Sequence, residues 1–206
     1  MSLANLTFKL FNDAALTSAF SGTLQLTHNS DFSDNPQDFV LYLGSPNTLR
    51  KLQTNVNPNV DNILLTPTDL VTNWAASGVR TLGQLIEPTS ANGFVYQCTT
   101  AGTSHASVQP TWPVTGIGST VSDGTAVWTF LGVKHLVAEI ILGLSAASLA
   151  NNSPGAALSV ATNINGGTAG AIPIHIRVVN AVPNIRNNAG HAEIGVNINV
   201  VRESAI

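Results

Sequence analysis

Three groups of residues in this sequence have the types that chemistry requires. The first is aromatic: Trp74, Tyr96 and Trp112 fall in one stretch with turn residues between them. Exposed and roughly coplanar, such rings would stack on sugars or meet another subunit; covered, they would form the core of a small domain. Among the tryptophans, Trp128 alternates with Ala126 and Phe130 and is expected to be buried. Trp112 lies between Pro110 and Pro113 in a loop and is the best candidate for exposure. The second group is acidic. Asp31, Asp34 and Asp38 suggest a calcium loop, but the central glycine and closing glutamate of the EF-hand spacing are absent, so a solvated acidic loop is expected.

The third group comprises potential nucleophiles and metal ligands. His28, His105, His135, His175 and His191 are scattered, with no pair at helical i, i+4 spacing and no carboxylate recurring beside them, so no metal site is expected. Cys98 lies mid-strand without a neighbouring histidine or helix N-terminus to lower its pKa. No Gly-x-Ser-x-Gly elbow occurs. Gly166-Gly167-Thr168-Ala169-Gly170 lacks the following Lys-Ser/Thr of a phosphate cradle and is expected to be a turn. We assign no catalytic, cofactor-binding or metal-binding residue and expect no enzyme activity.

Composition narrows the partners. Charged residues are 9% of the 206, against roughly 25% in an average soluble chain, and the net charge is -3. No basic field is present to hold nucleic acid. The solvated faces must be built from Asn, Thr, Ser and Gly, which suits broad protein–protein contact. One cysteine excludes an internal disulfide and a structural zinc site. Met1-Ser2-Leu3-Ala4-Asn5 has no positive region leading into an apolar run, so no secretory signal is expected, and no run approaches the roughly 20 apolar residues of a membrane span.

The positioning elements read as strands. Leu6, Phe8 and Leu10 alternate with Asn5, Thr7 and Lys9; Leu24 and Leu26 repeat the pattern. Phe39-Val40-Leu41-Tyr42-Leu43 is apolar on both faces, as in a central covered strand, and Ile63-Leu64-Leu65 is a short strand closed by Pro67. Val137–Leu144 favours strand, Ser145–Asn151 a short helical turn, and Ala156–Thr162 a strand after the Pro154-Gly155 turn. Ile172, Ile174, Ile176 and Val178 alternate along a strand that Pro173, lacking an N–H, would place at a sheet edge. In the last strand Ala192, Ile194, Val196, Ile198 and Val200 would face inward, and Glu193, Gly195, Asn197 and Asn199 outward.

Together these give an all-β chain: a discontinuous β-sandwich of immunoglobulin or jelly-roll type, with about eight strands, from residues 1–73 and 134–206. A small all-β module, residues 74–133, is inserted in it. All three tryptophans and the cysteine fall in that insert, with strands expected at Gln84–Ile86, Phe94–Thr99 and Ala126–Leu131. Asn92-Gly93 and Asp123-Gly124 are hairpin signals.

The stretch Trp74, Gly83, Asn92-Gly93-Phe94-Val95-Tyr96-Gln97-Cys98-Thr99-Thr100-Ala101-Gly102-Thr103-Ser104, Pro110-Thr111-Trp112-Pro113 and Asp123-Gly124-Thr125-Ala126-Val127-Trp128 resembles a module repeated across tailed-bacteriophage structural proteins. More loosely it resembles the chitin-binding modules of secreted hydrolases, in which exposed aromatics stack on sugars; Trp74, Tyr96 and Trp112 would carry that role here. The resemblance covers Trp74–Gly132. The flanks, with Asp38-Phe39-Val40-Leu41-Tyr42-Leu43-Gly44-Ser45 and Pro154-Gly155-Ala156-Ala157-Leu158-Ser159, are also similar to a phage virion domain.

The expectation is a non-enzymatic virion protein, assembled in the host cytoplasm and oligomeric. It would be a capsid decoration or minor capsid protein docked on the major capsid protein. The alternative is a tail or baseplate adhesin that binds host-surface glycans through the insert. Neither version calls for a cofactor, nucleic acid or a membrane.

Overall fold

The computed structural model describes residues 6–24, 33, 35–181 and 192–206. The chain is all-β, with several antiparallel sheets in a β-sandwich-like arrangement; among the described residues 44% are strand and no helix reaches seven residues. None of the described helices is long and apolar enough to cross a membrane.

The strands before the aromatic stretch are β1 (Lys9–Phe11), β2 (Gln37–Gly44), β3 (Arg50–Thr54) and β4 (Ile63–Asp69). Through that stretch run β5 (Thr72–Asn73), β6 (Val79–Arg80), β7 (Leu85–Glu87), β8 (Phe94–Thr100), β9 (Gly102–Thr103), β10 (Thr120–Asp123) and β11 (Ala126–Val133). After it come β12 (Ile140–Gly143), β13 (Leu158–Ala161), β14 (Asn163–Asn165), β15 (Ile172–Val178), β16 (Ile194–Ile198) and β17 (Val201–Ala205). The chain forms two compact units. One comprises Met1–Thr68, Val137–Asn180 and Val196–Ile206; the other comprises Asp69–Leu136 and Ala181–Gly195. The expected insert, 74–133, lies inside Asp69–Leu136, and the smaller unit also takes Ala181–Gly195.

The larger unit contains the sheets β1-β2-β15-β12, β14-β3-β17 and β13-β4-β16. Alternation builds them: along β15, Ile174, Ile176 and Val178 are buried, with Arg177 cross-strand from Asp38. Leu41, Leu43, Leu52, Ile63, Leu65, Ile140, Ile164 and Val201 complete a mainly aliphatic core, which also holds Phe8 and Phe11. Single-turn 3₁₀ segments lie at Val137–Glu139, Ala147–Ala150 and Thr168–Gly170.

Four strand expectations need correction. Pro173 does not mark an edge strand: β15 pairs with β2 on one side and β12 on the other. The proline is tolerated because β12 pairs only from Val178 to His175, leaving Pro173 beyond its reach. Pro67 does not close β4, which continues through it to Asp69, past the end of the pairing with β13 at Leu65. Val137–Leu144 is not all strand, since a 3₁₀ turn precedes β12. The C-terminal alternation is interrupted. Glu193 is buried, whereas Val196 and Val200 are 38% and 50% exposed. Asn199, whose Oδ1 accepts from Leu64 N (3.0 Å) and whose Nδ2 donates to Asn62 O (3.1 Å), lies at the break between β16 and β17, beyond which the chain pairs with β3. The repeat seen around Leu24 and Leu26 lies mostly outside the described residues.

In the smaller unit the sheet order is β10-β11-β8-β7-β5, with β6 and β9 as a separate ribbon. The expected central strands β7, β8 and β11 form within two residues of their anticipated ends. A register shift between Phe130 and Gly132 marks a bulge in β11. Trp128 and Phe130 thus join one apolar cluster with Trp74, Ile86, Tyr96 and Cys98, while Leu131 joins another with Leu85 and Val95. Asp123 pairs with Ala126, so Gly124-Thr125 is the two-residue hairpin loop. Gly124 has φ 62°, and a Cβ there would strike the Thr103 carbonyl.

Candidate functional site

Asp123 is the centre of the aromatic cluster. It ends β10, only 2% exposed, and its carboxylate gathers donors from three parts of the smaller unit. Trp74 Nε1 donates to Oδ2 at 2.8 Å and Trp128 Nε1 donates to the same oxygen at 3.1 Å. His105 N donates to Oδ1 at 2.8 Å, and the neighbouring Ser104 side chain adds a small favourable influence on the charged carboxylate. Burial pushes the Asp123 pKa up, but these bonds outweigh it and hold the group below the ordinary aspartate range. A carboxylate offers roughly four lone-pair sites. Two indole N–H groups and one backbone N–H take three of them, so the carboxylate serves the aromatic core as a structural acceptor.

The rest of the signature supports the same core. Arg80, 6% exposed, donates from Nε to Ser104 Oγ (2.7 Å) and from a terminal nitrogen to Ala75 O (2.5 Å), and its guanidinium carbon lies 5.8 Å from the Trp128 ring centre. Asn92 caps its own turn by accepting from Phe94 N (3.1 Å) and donates from Nδ2 to Tyr96 Oη (3.1 Å). Tyr96 Oη donates to Pro113 O (2.9 Å), fixing the Pro-Thr-Trp-Pro loop. Trp112 packs on Tyr96 at 4.6 Å between ring centres and donates from Nε1 to Gln109 Oε1 (3.2 Å).

This placement corrects the platform expectation for Trp74 and Tyr96. Tyr96 is fully buried and Trp74 is 9% exposed, so neither ring face is open to a sugar or a partner. Trp112 is half-buried, with Tyr96 and Trp128 packed against it. Three large rings in a unit with few other apolar side chains are needed to fill its interior, and the indole N–H groups follow them inside. Trp128 is fully buried, as its alternation anticipated.

The other candidates are accounted for singly. Cys98 is buried and donates to Thr100 O (3.2 Å), and burial pushes its thiol pKa up. Asp38 makes a two-pronged pair with Arg177, at 2.8 Å on each arm; Asp31 and Asp34 lie outside the described residues. His105 Nδ1 accepts from Ser107 N (3.3 Å) and Val108 N (3.1 Å) and so organises its own loop; His28 and His191 lie outside the described residues. Gly166 N donates to Arg50 O (2.8 Å), placing the glycine-rich run in a turn.

Two features escaped the sequence reading. The acceptor role of Asp123 was legible in principle, because Asp-Gly-Thr-x-x-Trp sets a carboxylate and an indole on facing strands of one tight hairpin. The second feature had no local signal. Lys134, with its side chain 9% exposed, lies 2.6 Å from Asp69 Oδ2 and 3.2 Å from Glu87 Oε2. Burial lowers the lysine pKa, but the two carboxylates outweigh it and raise the value. The three residues come from the ends of β4, β7 and β11. Comparison with protein-family models, with curated proteins and with solved structures gave no match.

Proposed function

We propose that this chain is a non-enzymatic structural protein of a tailed-phage virion. In this reading it is a capsid decoration or minor capsid protein that docks on a particle lattice and carries the small unit as a display module. The observation that carries the reading is the character of the exposed surface. Leu49, Val56, Val60, Val79 and Leu82 are each more than 70% exposed, in a chain only 9% charged. Uncharged apolar surface fits contact repeated by symmetry, where like charges would otherwise be brought together many times. The resemblance of Trp74–Gly132 to phage structural modules supports the same class. So does the use of Asp123, Asn92 and the aromatics as parts of the folded core.

The test is reconstitution. Purified chain added to particles lacking it should bind at saturable, symmetric sites, and its failure to bind would end this reading. The adhesin alternative has no observation in its favour at Trp74 or Tyr96, whose rings are covered.

A further inference from the structure

We propose that Lys134 and Asp69 are the partners of an intramolecular amide cross-link, formed without a cofactor and assisted by Glu87. The inference stands apart from the proposed virion role and rests on the contact of Lys134 with Asp69 and Glu87 alone. Asp69 begins the smaller unit's main segment, and Lys134 lies two residues before its end at Leu136. Lys134 Nζ is already 2.6 Å from Asp69 Oδ2, and Glu87 Oε2 is 3.2 Å from the same nitrogen. The other carboxylate oxygen, Asp69 Oδ1, accepts from Val71 N at 2.9 Å. That N–H polarises the carboxyl that the amine must attack, and stabilises charge on Oδ1 in a tetrahedral adduct.

The step is a condensation. Glu87 takes one proton from the ammonium, as a general base within hydrogen-bond reach. The freed amine attacks Asp69 Cγ, forming the C–N bond. Glu87 then returns its proton to Oδ2, a second Nζ proton follows, and the Cγ–Oδ2 bond breaks to release water. Oδ1 remains as the amide oxygen, one proton stays on nitrogen, and Glu87 ends as the carboxylate it began. Ammonium plus carboxylate has become amide plus water, with no oxidant or activating group required.

Two physical features favour it. Fixing the amine and carboxyl in contact removes the entropic barrier of a bimolecular encounter. Holding the Lys134 ammonium at 9% exposure costs desolvation, which a neutral amide in the same place relieves. The Asp69 side chain is 44% exposed and gives the departing water an exit. The product would close residues 69–134 into a covalent ring, so that tension applied at the two ends of the segment could not unravel the unit.

The experiment is mass analysis of the purified full chain. The expected wild-type mass is one water below that of its sequence. Proteolysis should then yield a branched peptide joining the segments that hold Asp69 and Lys134, with Lys134 resistant to trypsin. Lys134→Arg keeps a cation between the carboxylates but should show the full sequence mass. Glu87→Gln should slow formation severely. Asp69→Asn should reach the wild-type cross-linked mass by releasing ammonia instead of water. A folded wild-type chain at full mass, cleaved normally after Lys134, would overturn the proposal and leave an ion pair only. So would loss of water that persists in Lys134→Arg.

Discussion

In the larger unit the interior is mainly aliphatic, with Leu41, Leu43, Leu52, Ile63, Ile164 and Ile174 from its strands joined by Phe8 and Phe11. In the smaller unit the interior is aromatic, and two of its rings bring indole N–H groups inside with them. In the first kind of core the packed side chains carry no donor of their own, and the buried polar groups, such as Ser45, Thr54 and Glu203, are bonded individually to neighbours such as Thr7, Asn57 and Arg50. The second needs an acceptor at the centre, and Asp123 is that acceptor. The contrast teaches that a polar motif inside a small β unit can exist for its core: covering large rings in few residues brings donors inside, and an unpaired buried donor is costly.

The strongest way to break the comparison is Asp123→Ala. It would orphan two indole donors and the His105 N–H, at a cost of about 4 kcal/mol. All three tryptophans lie in the smaller unit, so the shift should appear in tryptophan fluorescence during urea unfolding, while amide exchange in β2 and β15 stays protected. Equal loss from both units would show that they do not fold as separate cores. The converse variant, Leu52→Ala, leaves a cavity in the larger unit and should cost about 3 kcal/mol. Its effect should register in amide exchange of β3 before the tryptophan signal moves.

Acid should sharpen the contrast further. The Asp123 pKa is depressed in the folded chain, so the unfolded chain takes up the proton first as pH falls. Its contribution is complete above the ordinary aspartate range and is lost as pH drops through the lower folded value. Asp123→Asn should flatten that part of the fluorescence-monitored stability profile. Glu203 in the larger unit behaves with the same sign: burial raises its pKa, but Arg50 and Thr7 outweigh this and lower it. Glu203→Gln should therefore flatten the acid limb of exchange in β3 and β17 and leave fluorescence unchanged. Tyr96→Phe deletes the bonds to Asn92 and Pro113 while keeping the ring, a loss of about 1 kcal/mol confined to the fluorescence transition. The smallest effect is expected for Asp38→Asn, which breaks a solvent-facing pair with Arg177 and should leave both unit transitions in place.

The sequence was most legible where hydrophobic period and turn chemistry agree. Phe94–Thr100 and Ala126–Val133 were readable from alternation next to Asn-Gly and Asp-Gly signals, and Trp128 from its place between Ala126 and Phe130. The C-terminal run was misread because period alone does not reveal a break: Asn199 looks like one more outward residue, and only its bonds to Asn62 and Leu64 show the chain changing partner there. Pro173 was misread because a missing N–H matters only where a neighbouring strand is present to accept it, and β12 stops short. At the candidate site, the spacing of Asp123 and Trp128 was visible, but the convergence of Trp74 and His105 on the same carboxylate was not.

By itself, then, the sequence determined the all-β character, the aromatic stretch as a distinct region and the tight Gly124 turn, because period, composition and backbone sterics are local properties. Only the tertiary structure decided that Trp74 and Tyr96 face inward, and that Lys134 meets Asp69 and Glu87 from strands far apart in the chain. Burial and ion pairing depend on which surfaces close over a side chain, and strand register sets that.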